Sequence, residues 1–142
     1  ASLRRLRVLR CFSRRDLRAR IGAADAHLGR ARALLAGVEG GALAAAPSAP
    51  GGAQSLELAL GLFDALLAEP TSEWAAQSVA PHERFEMRYN AACALSLARR
   101  PDACAALVKS MLDAGEVRPE EIAADADFEP MRAAERSGML HR

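Results

Sequence analysis

Residues 89–115, YNAACALSLARRPDACAALVKSMLDAG, read as two short helices joined by a tight turn. In the first, Phe85, Tyr89, Ala92, Leu95 and Ser96 recur at helical spacing and lay a mainly apolar stripe along one face. Pro81 suits a first helical position, and Glu83 and Glu86 bring negative charge to the positive end of the helix dipole, so this helix is expected over about 81–98. Arg99 and Arg100 sit at its negative end, and Pro101 disfavours helical geometry at the residue before it. Asp102 then lies in the first turn of a second helix running to Asp113 or Ala114, where Gly115 can take the left-handed cap conformation. The expected buried face of that helix is Ala103 or Cys104, Leu107, Val108 and Met111, and small residues at Ala92, Ala94, Ala103 and Cys104 let the two axes approach closely. Such a hairpin can bury its stripes only against something outside itself, which the rest of the chain must supply.

At 142 residues the chain is long enough to bury one core without metals or disulfides. Alanine, leucine and arginine dominate, aromatic residues make up only 4%, and runs of alternating β-branched residues are missing, so the expected fold class is all-α. The net charge of +1 conceals an asymmetry. Residues 1–20 hold eight arginines against Asp16, a balance of +7 that leaves −6 on the remainder: a basic arm on an acidic body. Cys11, Cys93 and Cys104 fit no zinc or redox spacing, and buried free thiols are expected at 93 and 104, although the hairpin could also bring those two face to face. That usage favours a reducing compartment. No apolar run approaches the ~20 residues needed to cross a bilayer.

The opening stretch, ASLRRLRVLRCFSRRDLRAR, is rich in arginine and nearly free of acids, a composition like that of an organellar transit segment or its border. Leu3, Leu6, Val8 and Leu9 could form the apolar edge of a short helix, with Arg4, Arg5, Arg7, Arg10, Arg14 and Arg15 available to an acidic protein groove, anionic lipid or RNA phosphate. From Arg14 onward, Leu17, Ile21, Ala24, Leu28, Ala31 and Leu35 follow alternating steps of four and three, which predicts a long amphipathic helix ending near Gly37. Residues 39–54 read as a flexible linker. Ser55 is placed to cap the next helix, whose expected face is Leu56, Ala59 or Leu60, Phe63 and Leu66 or Leu67, and Glu69-Pro70 stops it. The connection Thr71–Ala80 holds Trp74, expected as a plug over the core edge and otherwise as a partner-binding anchor.

The hairpin at 81–115 resembles a tetratricopeptide repeat, a helix-turn-helix unit of about 34 residues. Ala92 matches the small position of the first helix, Leu95 the large one after it, and Cys104, Val108 and Met111 positions of the second. Arg99 departs from the pattern by standing where the turn glycine is usual. The following VRPEEIAADADFEPMR resembles the capping tail after Tyr-Asn-x-Ala-Cys repeats, in which an Ile, an Asp-x-Asp-Phe and a Met-Arg fold back onto the last hairpin. The resemblance implies a short helical-hairpin solenoid of about two repeats: a basic arm at 1–15, a helical domain at 16–142 with its turn insertion at 39–54, and a C-terminal cap at 116–142. The combination is similar to the C-terminal repeat region of plant and algal thylakoid proteins that assist photosystem assembly, which implies a chloroplast, thylakoid-associated location in preference to a mitochondrial one.

Catalytic constellations are missing from the sequence. His27, His82 and His141 are scattered, no glycine-rich phosphate loop follows a strand, and Glu120, Glu121, Asp125, Asp127 and Glu129 lack calcium-loop spacing and read as a solvated acidic face. The expectation is therefore a noncatalytic adaptor or scaffold, without cofactor, metal or small-molecule substrate, that binds protein subunits of a larger organellar complex. The resemblance places ligand contacts on the first helix of a repeat. Asn90 matches an asparagine that grips a ligand backbone there, and Arg84 and Arg88 on the same helix are available to an acidic client. The alternative is a small structural subunit of an organellar ribonucleoprotein whose arm binds RNA.

Overall fold

The four-three stripe of Leu17, Ala24, Leu28 and Ala31 becomes the buried face of one long helix, α1 (Leu17–Gly40), in a computed structural model that describes residues 16–40 and 51–138. Ile21 and Leu35 flank that stripe half-buried. Among the described residues the protein is all-helical, with seven α-helices, one 3-10 turn and no strand. α2 (Gly52–Leu67) buries Leu56, Ala59, Leu60, Phe63 and Leu66 against α1. The two run antiparallel. Gly52, at the start of α2, packs against Leu34 and Leu35 late in α1, while Arg20 Nη1 reaches Glu69 Oε1 at 2.7 Å beyond the other end.

α3 (Thr71–Ala76) leads into α4 (Pro81–Leu97) and α5 (Pro101–Asp113), each of the last two opened by proline at its first position, where a missing N–H costs nothing. These two form the second antiparallel pair. Cys104 Sγ lies 3.3 Å from Ala92 O near the turn, and Arg88 reaches Glu116 at 3.1 Å at the far end. α4 packs on α2 and, alongside it, on α1. Arg18 meets Glu83 and Asp25 meets Asn90, both across a separation of 65 residues, so α1 and α4 run parallel in a constant register.

The tail folds back as α6 (Pro119–Ala124), a 3-10 turn (Ala126–Phe128) and α7 (Glu129–Arg136). Ile122, Phe128 and Met131 are its buried anchors, each large enough to contribute on the order of 2 kcal/mol by leaving water. The Arg132 guanidinium donates to Ile122 O at 2.7 Å and ties the tail's two helices together, while the Met131 N–H donates to the buried Ser96 hydroxyl at 3.3 Å and fixes the tail on the second pair.

Two helix ends show the same closure with different residues. After α5, Gly115 has φ +72°, its N–H donating to Leu112 O and that of Glu116 to Met111 O. After α4, Arg99 has φ +57° and the equivalent bonds run from Arg99 N to Ser96 O and from Arg100 N to Leu95 O, both 3.0 Å. The geometry that favours glycine is present at position 99; only the glycine is missing.

The structure corrects several local expectations. Ser55 does not cap α2: Gly51 holds the cap position, and Ser55 is a fully buried helical residue whose hydroxyl has no partner. Phe85 is 38% exposed, and Met87 takes its place in the core, because the buried face of α4 points toward α2. Ala103 is exposed and Leu107 half-buried, leaving Cys104, Val108 and Met111 as the buried face of α5. The connection at 71–80 contains a helix. Asp125 and Asp127 are half-buried and bonded, not solvated. Cys93 and Cys104 are buried free thiols.

Candidate functional site

Because α1 and α4 lie parallel, side chains at matching registers face one another across a shallow groove of about 130 Å3, lined by Arg18, Ile21, Asp25, Glu83, Glu86 and Met87. Ile21 and Met87 form its apolar floor. At one end Arg18 is engaged twice, donating to Ser78 O at 2.9 Å and to Glu83 Oε2 at 3.1 Å. At the other, Asp25 accepts the Asn90 amide at 3.2 Å. Burial pushes the Asp25 carboxyl above its ordinary value; the Asn90 bond and the Arg32 charge oppose that rise, and Glu86 adds to it. Glu86 is exposed, and among the described residues no cation pairs with it. The groove thus sets three carboxylates against one guanidinium.

Further along the same two helices the tail closes the surface. The Tyr89 hydroxyl donates to Asp125, and its ring meets Phe128 edge to face with centroids 5.5 Å apart. Arg32 on α1 crosses to Asp127, with Nε at 2.8 Å and Nη2 at 2.7 Å from the same carboxylate oxygen. The Asp125 carboxylate also accepts the Asp127 N–H at 2.9 Å, which caps the 3-10 turn. Cys93 sits beneath. Its sulfur and the two carboxylates lie within 4.8 Å of one another, a donor set that suits a metal ion. The charges are nevertheless already balanced, since Arg32 is the counter-ion and Tyr89 a donor to the second carboxylate. Burial, Asp125 and Asp127 push the Cys93 thiol well above its usual value, against the opposing charge of Arg32. The cluster is a pin between α1, α4 and the tail.

Of the residues the sequence singled out for partner contact, Asn90 alone meets α1, at the end of the groove. Arg84 and Arg88 do not line it. The Arg84 guanidinium stacks over the Trp74 ring at 5.5 Å, and Trp74 itself is buried at 3% exposure. Arg88 donates to Ser110 Oγ at 2.7 Å and forms the buried-side ion pair with Glu116, whose 3.1 Å separation is too poorly aligned to count as a hydrogen bond. Arg4, Arg5, Arg7, Arg10, Arg14 and Arg15 lie outside the described residues, as does most of the linker. Glu83 and Glu86 were legible as neighbours of Asn90 at helical spacing, but their value to the helix dipole hid their place in the groove. Asp25 gave no local signal, because its role depends on a partner 65 residues away. No protein-family model, curated protein or solved structure matches the chain.

Proposed function

We propose that the chain is a noncatalytic adaptor of the tetratricopeptide type, whose two helix pairs hold a protein segment on the face shared by α1 and α4. The constant 65-residue register between those helices carries this reading, since it makes one continuous surface from corresponding positions of two helical hairpins. The capping of the second pair by Ile122, Phe128 and Met131 supports it, as a stacked array needs its end covered. The adaptor serves as a subunit or assembly factor of a larger organellar complex, with the photosynthetic membrane as its setting. The acidic lining turns the client's expected charge around: with Arg84 and Arg88 engaged elsewhere, the groove suits a basic segment.

Affinity purification of the tagged chain at moderate salt, with and without nuclease, tests this when run beside Glu86→Arg, a change on an exposed side chain. Protein partners that survive nuclease and are depleted from the variant are the expected result. Partners lost with nuclease would move the function to residues 1–15 and RNA, and equal retention by the variant would remove the groove from it.

A further inference from the structure

Among the described residues, no ion pair cancels the charge imbalance of the α1–α4 groove. Arg18 is already held by Glu83 and Ser78 O, Arg32 is bonded to Asp127 and acts on Asp25 only at a distance, and the hydrogen bond that Asp25 accepts comes from a neutral amide. Glu86 stands exposed beside Phe85, itself 38% exposed, above the apolar floor of Ile21 and Met87. Carboxylates on a rim around an apolar floor accept side chains with a cationic head and an aliphatic stem, which is the chemistry of arginine.

The sequence carries such a segment immediately before the first residues of α1. Residues 1–15, ASLRRLRVLRCFSRR, hold six arginines and no acid, with Leu3, Leu6 and Leu9 between them. The residues after this segment carry a net charge of −5, from 13 basic and 18 acidic side chains. The segment joins the fold at the groove's mouth. The Leu17 N–H donates to Gln77 Oε1 at 2.7 Å, and the next residue, Arg18, is already part of the groove wall. Fifteen residues reach up to about 50 Å when extended, whereas Arg18 to Asp25 spans only about 10 Å of helix, so the segment can fold back along the whole groove. A tether this short holds it at an effective concentration on the order of millimolar, which compensates for weak individual ion pairs.

We propose that the groove between α1 and α4 is a seat for an arginine-rich segment, and that its occupant in the free protein is the chain's own residues 1–15. This goes beyond the adaptor reading and does not rest on it. A client that uses the groove must displace the arm, and the arm then becomes available to another surface.

The test uses the full chain with a nitroxide on Cys11. Cys93 and Cys104 are fully buried, and burial pushes the Cys104 thiol up to about 12, so the label goes to Cys11. The amide signals of Asp25, Glu83 and Glu86 are expected to lose about twofold or more in intensity relative to the reduced label at low salt, and to recover in about 1 M NaCl, where screening acts over ~3 Å. Glu86→Lys is expected to abolish most of the broadening with an unchanged circular dichroism spectrum, and Glu120→Lys, on the tail, to leave it in place. Uniform broadening over the surface, or broadening centred on the tail carboxylates Glu120 and Glu121, would overturn the proposal. Broadening that appears only when labelled chain is mixed with separately isotope-labelled chain would assign the groove to the arm of a second copy and overturn the intramolecular seat.

Discussion

α1 and α4 lie side by side in the same direction, yet they are buried differently. α1 keeps one stripe inside, Leu17, Ala24, Leu28 and Ala31, and shows the rest to solvent or the groove. α4 begins in the same way but is buried at six consecutive residues from Ala91 to Ser96, which no single helical face can produce. The extra cover comes from partners on several sides: α2 and α5 on the core side, and the tail over Tyr89, Cys93 and Ser96. An edge helix with one dominant partner, as α1 has in α2, advertises it as a period, whereas a central helix averages several partners and the period fades.

The largest effect should come from removing the tail's anchor. Phe128 is fully buried against Tyr89, and Phe128→Ala is expected to lower the unfolding free energy by about 3–5 kcal/mol. The loss should be accompanied by reaction of Cys93 with a thiol reagent under native conditions, because the tail is what covers that part of α4. Urea denaturation and a timed thiol titration measure both. A loss below about 1 kcal/mol with Cys93 still protected would mean that α4 is buried without the tail's help.

The same contrast explains which parts of the fold were legible. The helices at 17–40, 81–97 and 101–113 announce themselves through periodic leucines and alanines, N-terminal prolines and Gly115, all local signals, although the first runs on to Gly40, past its expected end near Gly37 and into the expected linker. The fold-back of the tail was expected only from a resemblance carried by Ile122, Asp125-x-Asp127-Phe128 and Met131-Arg132, and these do supply its buried anchors. The start of α2 was not, because Ser55 offers the chemistry of a cap while the chain becomes helical three residues earlier, at Gly52. The groove itself was not legible, because it forms between helices 65 residues apart. Asn90, Arg84 and Arg88 all looked free on their helix, yet Asp25 takes the Asn90 amide and Trp74, Ser110 and Glu116 engage the two arginines. Charge on a helix says little about direction until its neighbours are known.

The turn after α4 offers a smaller, stabilising change that sharpens the comparison between the two helix ends. Arg99 holds a left-handed conformation that costs a residue with a side chain roughly 1–2 kcal/mol, while glycine restores part of that cost through the greater freedom of its unfolded chain. Arg99→Gly is therefore expected to raise stability by about 0.5–1 kcal/mol, and Gly115→Ala to lower it by about 1 kcal/mol. Matching midpoints in urea for Arg99→Gly and the unaltered chain would show that the left-handed conformation at position 99 carries no strain.

The smallest effect lies in the contact between α1 and α4 itself. Burial, reinforced by Glu86, raises the Asp25 carboxyl above 3.8, against the Asn90 bond and the Arg32 charge. For a carboxyl raised on folding, the folded state binds the extra proton, so the stabilising contribution is present below 3.8 and is lost as pH rises through the folded value. At neutral pH the buried charge is a net cost. Asp25→Asn keeps an oxygen to accept from Asn90 and removes that charge, so the variant should be more stable at pH 7 by a fraction of a kcal/mol. The advantage should shrink as pH falls through the mildly acidic range and vanish below the ordinary carboxylate value. Urea titrations of both proteins across that range, in about 1 M salt to screen the groove's other charges and release the arm, isolate the burial contribution. A gap that does not change with pH would show that the carboxylate is as well solvated in the groove as in the unfolded chain.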